Sequence, residues 1–556
     1  MNQIKKKSSR FNRVLIIIVL FFLCADNYAQ STSFLADGID DYIRRSQLLG
    51  KLSIQSSLTN RSFIENYQLT DSVLHWNDQK KSGAGSLLQI QYSPLTITQQ
   101  YNSHHPYGWN DDGMIPARGL QTLVSGGIYA SVGHFSFQVK PEFVYAQNTA
   151  FETFPHEHYD IIWEHYYQWL NKSDIPEMFG TKPYTHFFPG QSSIRYNTGA
   201  VSVGVSTENL WWGPGTRNAL VMSNNAPGFI HFTVNTVKPI QTNIGSFEGQ
   251  IIGGSLSSSG ILPPDRNRYD STNQLIYIPK KEASRYIAGM VLSWQPKWIK
   301  GLFLGFTKAA YLYTSDISGI ADIFPLEGII KSSAEKNNKK AALGSLFIRY
   351  AMPGEKAELY IEYGRSDKSP TLINLANETG YPRAYVAGFR KLFPTKRNAY
   401  IEFASEFTQM QLPTADLIQS ASSWYTHTYV RQGYTNNGQV IGAGIGPGSN
   451  SQMANISWVK NFIKVGLLFE RVVHNNDFYY NTFVASAAAN DFTRHWIDLS
   501  TTAHVDWQFK KFLLSSQMSL IRSLNYEWYI FPDLGYFRNG YDVLNFNAKI
   551  SLAYRL

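Results

Sequence analysis

The stretch LNFNAKISLAYRL, Leu544 to Leu556, decides the fold. Leu544, Phe546, Ala548, Ile550, Leu552, Tyr554 and Leu556 fall on one side of an extended strand. Asn545, Asn547, Lys549, Ser551, Ala553 and Arg555 fall on the other. Side chains alternate across a strand, so this segment has one apolar face and one wet face. Long, strict alternation ending on an aromatic near the C-terminus is expected of the closing strand of an outer-membrane barrel, with lipid on the apolar side and the lumen on the polar side.

The same period recurs toward the N-terminus. Leu88, Ile90 and Tyr92 alternate with glutamines, Phe135, Phe137 and Val139 with polar residues, and Val201, Val203 and Val205 with Ser and Gly. Leu359, Ile361 and Tyr363, then Ile401, Phe403 and Phe407, lie opposite Glu358, Glu362, Glu402 and Glu406. Ile463 to Phe469 and Leu514 to Leu520 follow suit. No linker or low-complexity segment interrupts the pattern. A soluble sandwich of this size would be unusually large. The expectation is an all-β, transmembrane antiparallel barrel of about 18 strands (16–20) forming a single domain over residues 30–556.

The N-terminus reads as a signal peptide over residues 1–29. Lys5, Lys6, Lys7, Arg10 and Arg13 precede the apolar run Val14–Leu23, and cleavage after Ala29 is expected. That run is too short to span a membrane as a helix. The one cysteine, Cys24, follows Leu23 rather than the small residue a lipidation site needs, so the mature chain has no disulfide or cysteine chemistry. The formal charge is +9, and removing residues 1–29 leaves about +5. No basic run or base-reading motif points to nucleic acid.

Two segments have helical rather than strand period. Asp37–Leu49 carries Ile39, Ile43, Leu48 and Leu49 on a rough stripe, and His156–Asn171 carries Tyr159, Ile162, Trp163, Tyr166 and Leu170. Both are expected as short helices, the second inserted between strands and closing one end of the barrel. Trp424–Gln452, rich in aromatics, Gly and amides, reads as a long loop or as strands flanking one.

The densest motif is ENLWWGPGTRNALVMSNNAPGF, Glu208 to Phe229. Trp211 and Trp212 lead into the turn Gly213-Pro214-Gly215, followed by Arg217, Asn224 and Asn225. Trp faces stack on sugar rings, and Arg and Asn donate to carboxylates and hydroxyls, so the block suits contact with a glycan. The plainer alternative is a structural turn in an aromatic girdle. The carboxylates Glu358, Glu362, Glu402 and Glu406 suit a polar lumen wall better than a glycosidase pair. His156, His158 and His165 lack the spacing of the known zinc patterns, so no metal is expected. His104-His105 reads as a solvated turn. No nucleophile elbow or phosphate loop is present, and neither an enzyme nor a cofactor is expected.

The WWGPG block, SNNAPGF, Pro116-Ala117-Arg118-Gly119, Lys238-Pro239-Ile240, Gly245-Ser246-Phe247-Glu248 and His427-Thr428-Tyr429-Val430-Arg431-Gln432-Gly433-Tyr434 together resemble the Wzi-like capsule assembly family of outer-membrane proteins. The resemblance implies an outer-membrane barrel of roughly 18 strands, with periplasmic helices that help occlude its lumen. It also implies a lectin-like role in attaching capsular or other surface polysaccharide, with outer-membrane lipid around it and polysaccharide export machinery as a further partner. Arg118 and Arg431 join Trp211, Trp212, Arg217, Asn224 and Asn225 as candidate polysaccharide contacts. The rival readings are a porin or solute transporter, which needs an open lumen, and an outer-membrane hydrolase.

Overall fold

Alternation in the sequence becomes an inside-out distribution of polarity in the structure, a computed structural model that describes residues 38–60, 88–324, 339–367, 382–412, 423–484, 495–529 and 542–555. The expected signal peptide, Asp37 and Leu556 lie outside these residues. In the last strand Leu544 is 64% exposed and Phe546 41%, while Asn545 is fully buried and Asn547 nearly so. A water-soluble protein does the reverse; here the exposed apolar face is the one that meets lipid.

The sheet is antiparallel throughout and closes on itself. We number its staves β1 (Leu88–Asn102), β2 (Gly119–Val132), β3 (Phe135–Val139 and Glu142–Ala146), β4 (Tyr184–Phe188 and Ser193–Thr198), β5 (Val201–Ser206) and β6 (His231–Thr236 and Ile240–Thr242). Next come β7 (Gly245–Leu256), β8 (Arg285–Pro296), β9 (Leu302–Tyr313), β10 (Lys340–Met352), β11 (Ala357–Asp367) and β12 (Arg383–Pro394). The last are β13 (Tyr400–Gln409), β14 (Asn450–Lys460), β15 (Ile463–Val473), β16 (Ile497–Phe509), β17 (Phe512–Leu524) and β18 (Val543–Tyr554). Three staves are split in two, so the 21 segments of the sheet make 18 staves. Pro141, Pro189 and Pro239 sit in the three breaks, where a residue without an N–H cannot continue the ladder. β18 pairs with β1 from Leu95↔Tyr554 to Asn102↔Asn547, and the barrel is shut.

Short turns, such as Gly133-His134 and Lys510-Lys511, gather at one end with the start of β1 and the end of β18; long connections gather at the other. In barrels of this kind the short turns are periplasmic and the long loops extracellular.

The lumen is not an open pore. From the short-turn end, helix α1 (Ile39–Leu48) enters it, and Ile39, Tyr42, Ile43 and Leu48 are buried. From the other end the connections 103–118 and 207–230, and the described parts of the β13–β14 connection, 410–412 and 423–449, fold inward. Their apolar residues build a dry core inside the barrel around Trp212, Leu220, Val221, Met222, Trp424 and Tyr434. Helix α2 (Asp160–Leu170) lies in the long β3–β4 connection, so the two helices sit at opposite ends. Its apolar stripe buries Ile162, Trp163, Tyr166 and Leu170 against Phe478, Tyr479 and Trp528. Tyr159, expected on that stripe, precedes the first turn and is exposed. His105 is buried rather than solvated: its ring lies 4.4 Å from that of Tyr526, and burial pulls its pKa down to about 4. Residues 423–449 form a loop carrying one tiny hairpin, Thr435–Asn436 with Gln439–Val440, and β14 starts only at Asn450.

Candidate functional site

The turn Gly213-Pro214-Gly215 lets the β5–β6 connection dive to mid-lumen. Gly213 has φ +123°, and a Cβ there would come within 2.8 Å of a Glu362 carboxylate oxygen. At Gly215 a Cβ would meet the Asn218 carbonyl oxygen at 1.9 Å. Both positions admit only glycine without the loop moving. The wall carboxylates are the sockets for this loop. Glu406 accepts from the backbone N–H groups of Thr216, Arg217 and Asn218 at 2.6 to 3.1 Å. Trp212 Nε1 donates to Gln250 Oε1 at 3.0 Å.

Arg217 follows the turn and crosses to β15. Its Nε and Nη2 donate to Glu470 at 3.2 and 2.8 Å, and its guanidinium lies 4.3 Å from the Trp109 ring centre. Burial opposes its charge, but the Glu470 carboxylate overcomes that and raises the pKa further, so the residue stays a cation. Asn110 Nδ2 donates to the Arg217 carbonyl at 2.9 Å, which ties the 103–118 connection to the same loop.

From below, α1 is held by ion pairs to the wall. Arg44 Nε donates to both oxygens of Glu358 at 2.7 and 2.9 Å. Arg349 Nε donates to Glu358 at 3.0 Å and its Nη1 to the Ser57 carbonyl at 2.8 Å. Asp41 meets Arg390 at 2.7 Å and Lys464 at 3.0 Å, and Lys464 reaches Glu402 at 2.8 Å. The chain after α1 climbs the lumen until Thr59 O accepts from Gly213 N at 2.8 Å.

Between plug and loops lies a chamber of about 330 Å³. Its roof is Trp109, Trp211, Thr216, Arg217 and Asn224, and its floor is Asp40, Asp41 and Arg44 of α1. Its side is the polar face of β14 to β18 and β1, with Asn455, His504, Gln517, Asn547 and Lys549. A smaller cavity of about 100 Å³ adjoins it, lined in part by Trp109, Asn225 and Gly444. The chamber therefore combines aromatic edges with amides and charged donors, in a volume at the small end of ligand pockets.

Of the seven candidate residues, three (Trp211, Arg217 and Asn224) line this chamber, and Asn225 lines its neighbour. Trp212 does not join them: it has no exposed surface and packs against Gly289 of β8, so it is a packing residue and cannot stack on a ligand in this arrangement. Arg118 lies at the long-loop end, bonded to the carbonyls of Ser103 and Ala150 at 3.0 and 2.8 Å. Arg431 holds the carbonyls of Ile278 and Pro279. Both are loop fasteners apart from the chamber. Trp109, Asp111 and the α1 residues were not singled out from the sequence; an aromatic followed by Asn-Asp-Asp in a long hairpin loop was the only available signal.

A closed 18-stranded barrel, apolar outside and plugged within, defines an outer-membrane β-barrel with an occluded lumen. Residues 91–533 match the family described as capsule assembly protein Wzi, and the chain belongs to that family. The solved structure of Escherichia coli Wzi is described as an outer-membrane, carbohydrate-binding β-barrel involved in group 1 capsule assembly. It superposes with TM-score 0.56 at 10% identity, covering 96% of this chain and 100% of that one. Acinetobacter baumannii OccAB2 aligns with TM-score 0.41 at 10% identity over 85% of this chain and 100% of that one. A BenF-like porin from Pseudomonas fluorescens aligns with TM-score 0.39 at 9% identity, over 84% and 99%. No curated protein sequence matches the chain.

Proposed function

We propose that this protein is a non-enzymatic, lectin-like barrel that binds an exported polysaccharide and helps retain it at the cell surface. The observation that carries this reading is the lumenal chamber, where Trp109, Trp211, Arg217 and Asn224 converge in a member of the Wzi family. The carbohydrate binding described for the Escherichia coli protein of the same fold supports it. Contact with each sugar is weak, and a repetitive polymer turns many weak contacts into avidity. Polysaccharide export machinery on the periplasmic side is the partner this role implies, and lipid surrounds the barrel.

The test is surface polysaccharide on a strain lacking the protein, measured as cell-bound and released fractions. A shift from bound to released at constant total supports retention. Complementation with a Trp211→Ala, Arg217→Gln double variant should fail to restore the bound fraction while the barrel still folds. An unchanged distribution in the deletion strain overturns the reading.

A further inference from the structure

Beneath the chamber floor lies an arginine cluster that the loop motif does not explain, with Arg44 and Arg390 reaching the lining. Three guanidinium groups, from Arg44, Arg349 and Arg390, converge on the single carboxylate of Glu358. The continuous ion-pair network there holds five cations (Arg44, Arg45, Arg349, Arg390 and Lys464) against three carboxylates (Asp41, Glu358 and Glu402). Arg44 is 2% exposed and lines the chamber, yet Nη1 and Nη2 find no hydrogen-bond acceptor among the described residues. A buried guanidinium with two idle donors forgoes charge-assisted bonds that a planar anion would supply.

The rest of the lining limits what that anion is. Asp40 and Asp506 also face the chamber, which offsets the positive excess and disfavours a multiply charged group. Carboxylates accept from hydroxyls, amides accept from and donate to them, and the Trp109 and Trp211 rings suit the apolar faces of a sugar. One carboxylate on a hydroxyl-rich ring satisfies all of these features together.

Resting on the polysaccharide-binding reading, we propose that the chamber is a subsite for an acidic sugar unit of the polymer, its carboxylate taken by Arg44 of the plug helix and its hydroxyls by Asp40, Asp506 and the amides of the wall. Ligand is thereby bonded at once to the roof loop and to α1.

The probe is surface polysaccharide extracted from the producing strain, used as isolated and after chemical reduction of its carboxyl groups to alcohols. Binding to the purified full-length protein is measured by calorimetry or biolayer interferometry. Reduction should weaken binding about tenfold or more, the loss expected of one charge-assisted pair. Arg44→Gln should weaken binding of the native polymer equally and leave the reduced polymer unaffected. Glu358→Gln breaks the same plug contact from the wall but keeps the Arg44 charge, so it should retain the preference for native polymer. If both variants lose it, the plug's position rather than an anion site is responsible, and the proposal fails. Equal binding of native and reduced polymer, or a native polymer free of carboxylate, also overturns it, while leaving retention at the surface standing. No binding of either polymer to a protein that still retains polymer on cells overturns the chamber as the site.

Discussion

Neighbouring residues in the WWGPG block have opposite duties. Trp212 fills the apolar core and Trp211 lines the chamber. Trp212→Ala should therefore destabilise the folded state by about 3–5 kcal/mol, as removal of a fully buried aromatic does. Denaturant unfolding followed by loss of heat-modifiable gel mobility measures it. Trp211→Ala should leave that midpoint nearly in place and reduce polymer binding instead. Gly213→Ala should act through geometry: the loop must retreat from Glu362, and the Gly213–Thr59 hydrogen bond should be lost. Faster proteolysis within residues 207–230 would report that retreat. Residue reading from sequence was weakest here, because a loop has no period that says which of two adjacent tryptophans faces inward. The resemblance pointed to the block as a whole, and packing alone divided it.

At the level of elements, α1 behaves as an ion-paired stopper. Burial works against charge on Asp41, but Arg390, Lys464 and Arg45 outweigh it and hold its carboxyl well below the usual carboxylate range. A carboxyl depressed in the folded state stabilises at pH above its unfolded pKa, near 3.9, and that contribution fades as pH falls through the folded value. Protection of the α1 amides, their exchange relative to the intrinsic rate at each pH, should thus hold from neutral pH down to about 4 and fall only below it. Loss of protection already between pH 7 and 5 would contradict the network. The lipid-facing staves obey another rule. Ile550→Arg on the outer face of β18 should cost about 2–4 kcal/mol if it lies near the midplane, whereas Ser551, facing inward, should tolerate small polar replacements. Eight staves (β1, β3, β5, β11, β13, β15, β17 and β18) were legible because period-2 alternation survives in them, and both helices because theirs changes to 3.6. What holds them was not. Glu358 and Glu402 were read as lumen wall, which they are, but Arg44, the α1 cation that Glu358 holds, lies 314 residues away.

Across the whole molecule, the barrel is occupied from both ends. Reconstituted in a planar bilayer, the protein should show none of the large, steady conductance of an open porin. Deleting residues 38–60 should produce conductance or flicker only if the inward loops loosen too, since the core around Trp212 and Trp424 fills the lumen independently of α1. Porin-like steps from the intact chain would favour the transporter reading over an occluded binder. Chain-wide alternation predicted the closed wall, and strand count followed from length. The filling was not predictable in the same way, because aromatic and glycine-rich connections look alike whether they cover a mouth or descend into it.

The plug also sets an order of events. Residues 38–60 emerge from export ahead of every stave, yet their partners lie on β7, β10 to β12 and β15. Until those staves arrive, Arg44 lacks its carboxylate and Asp41 has only Arg45 of its own helix, and pairings this distant in sequence form late. Seating of α1 then depends on a nearly complete wall: a chain that stops before β15 lacks Lys464 and cannot complete the network that holds the helix.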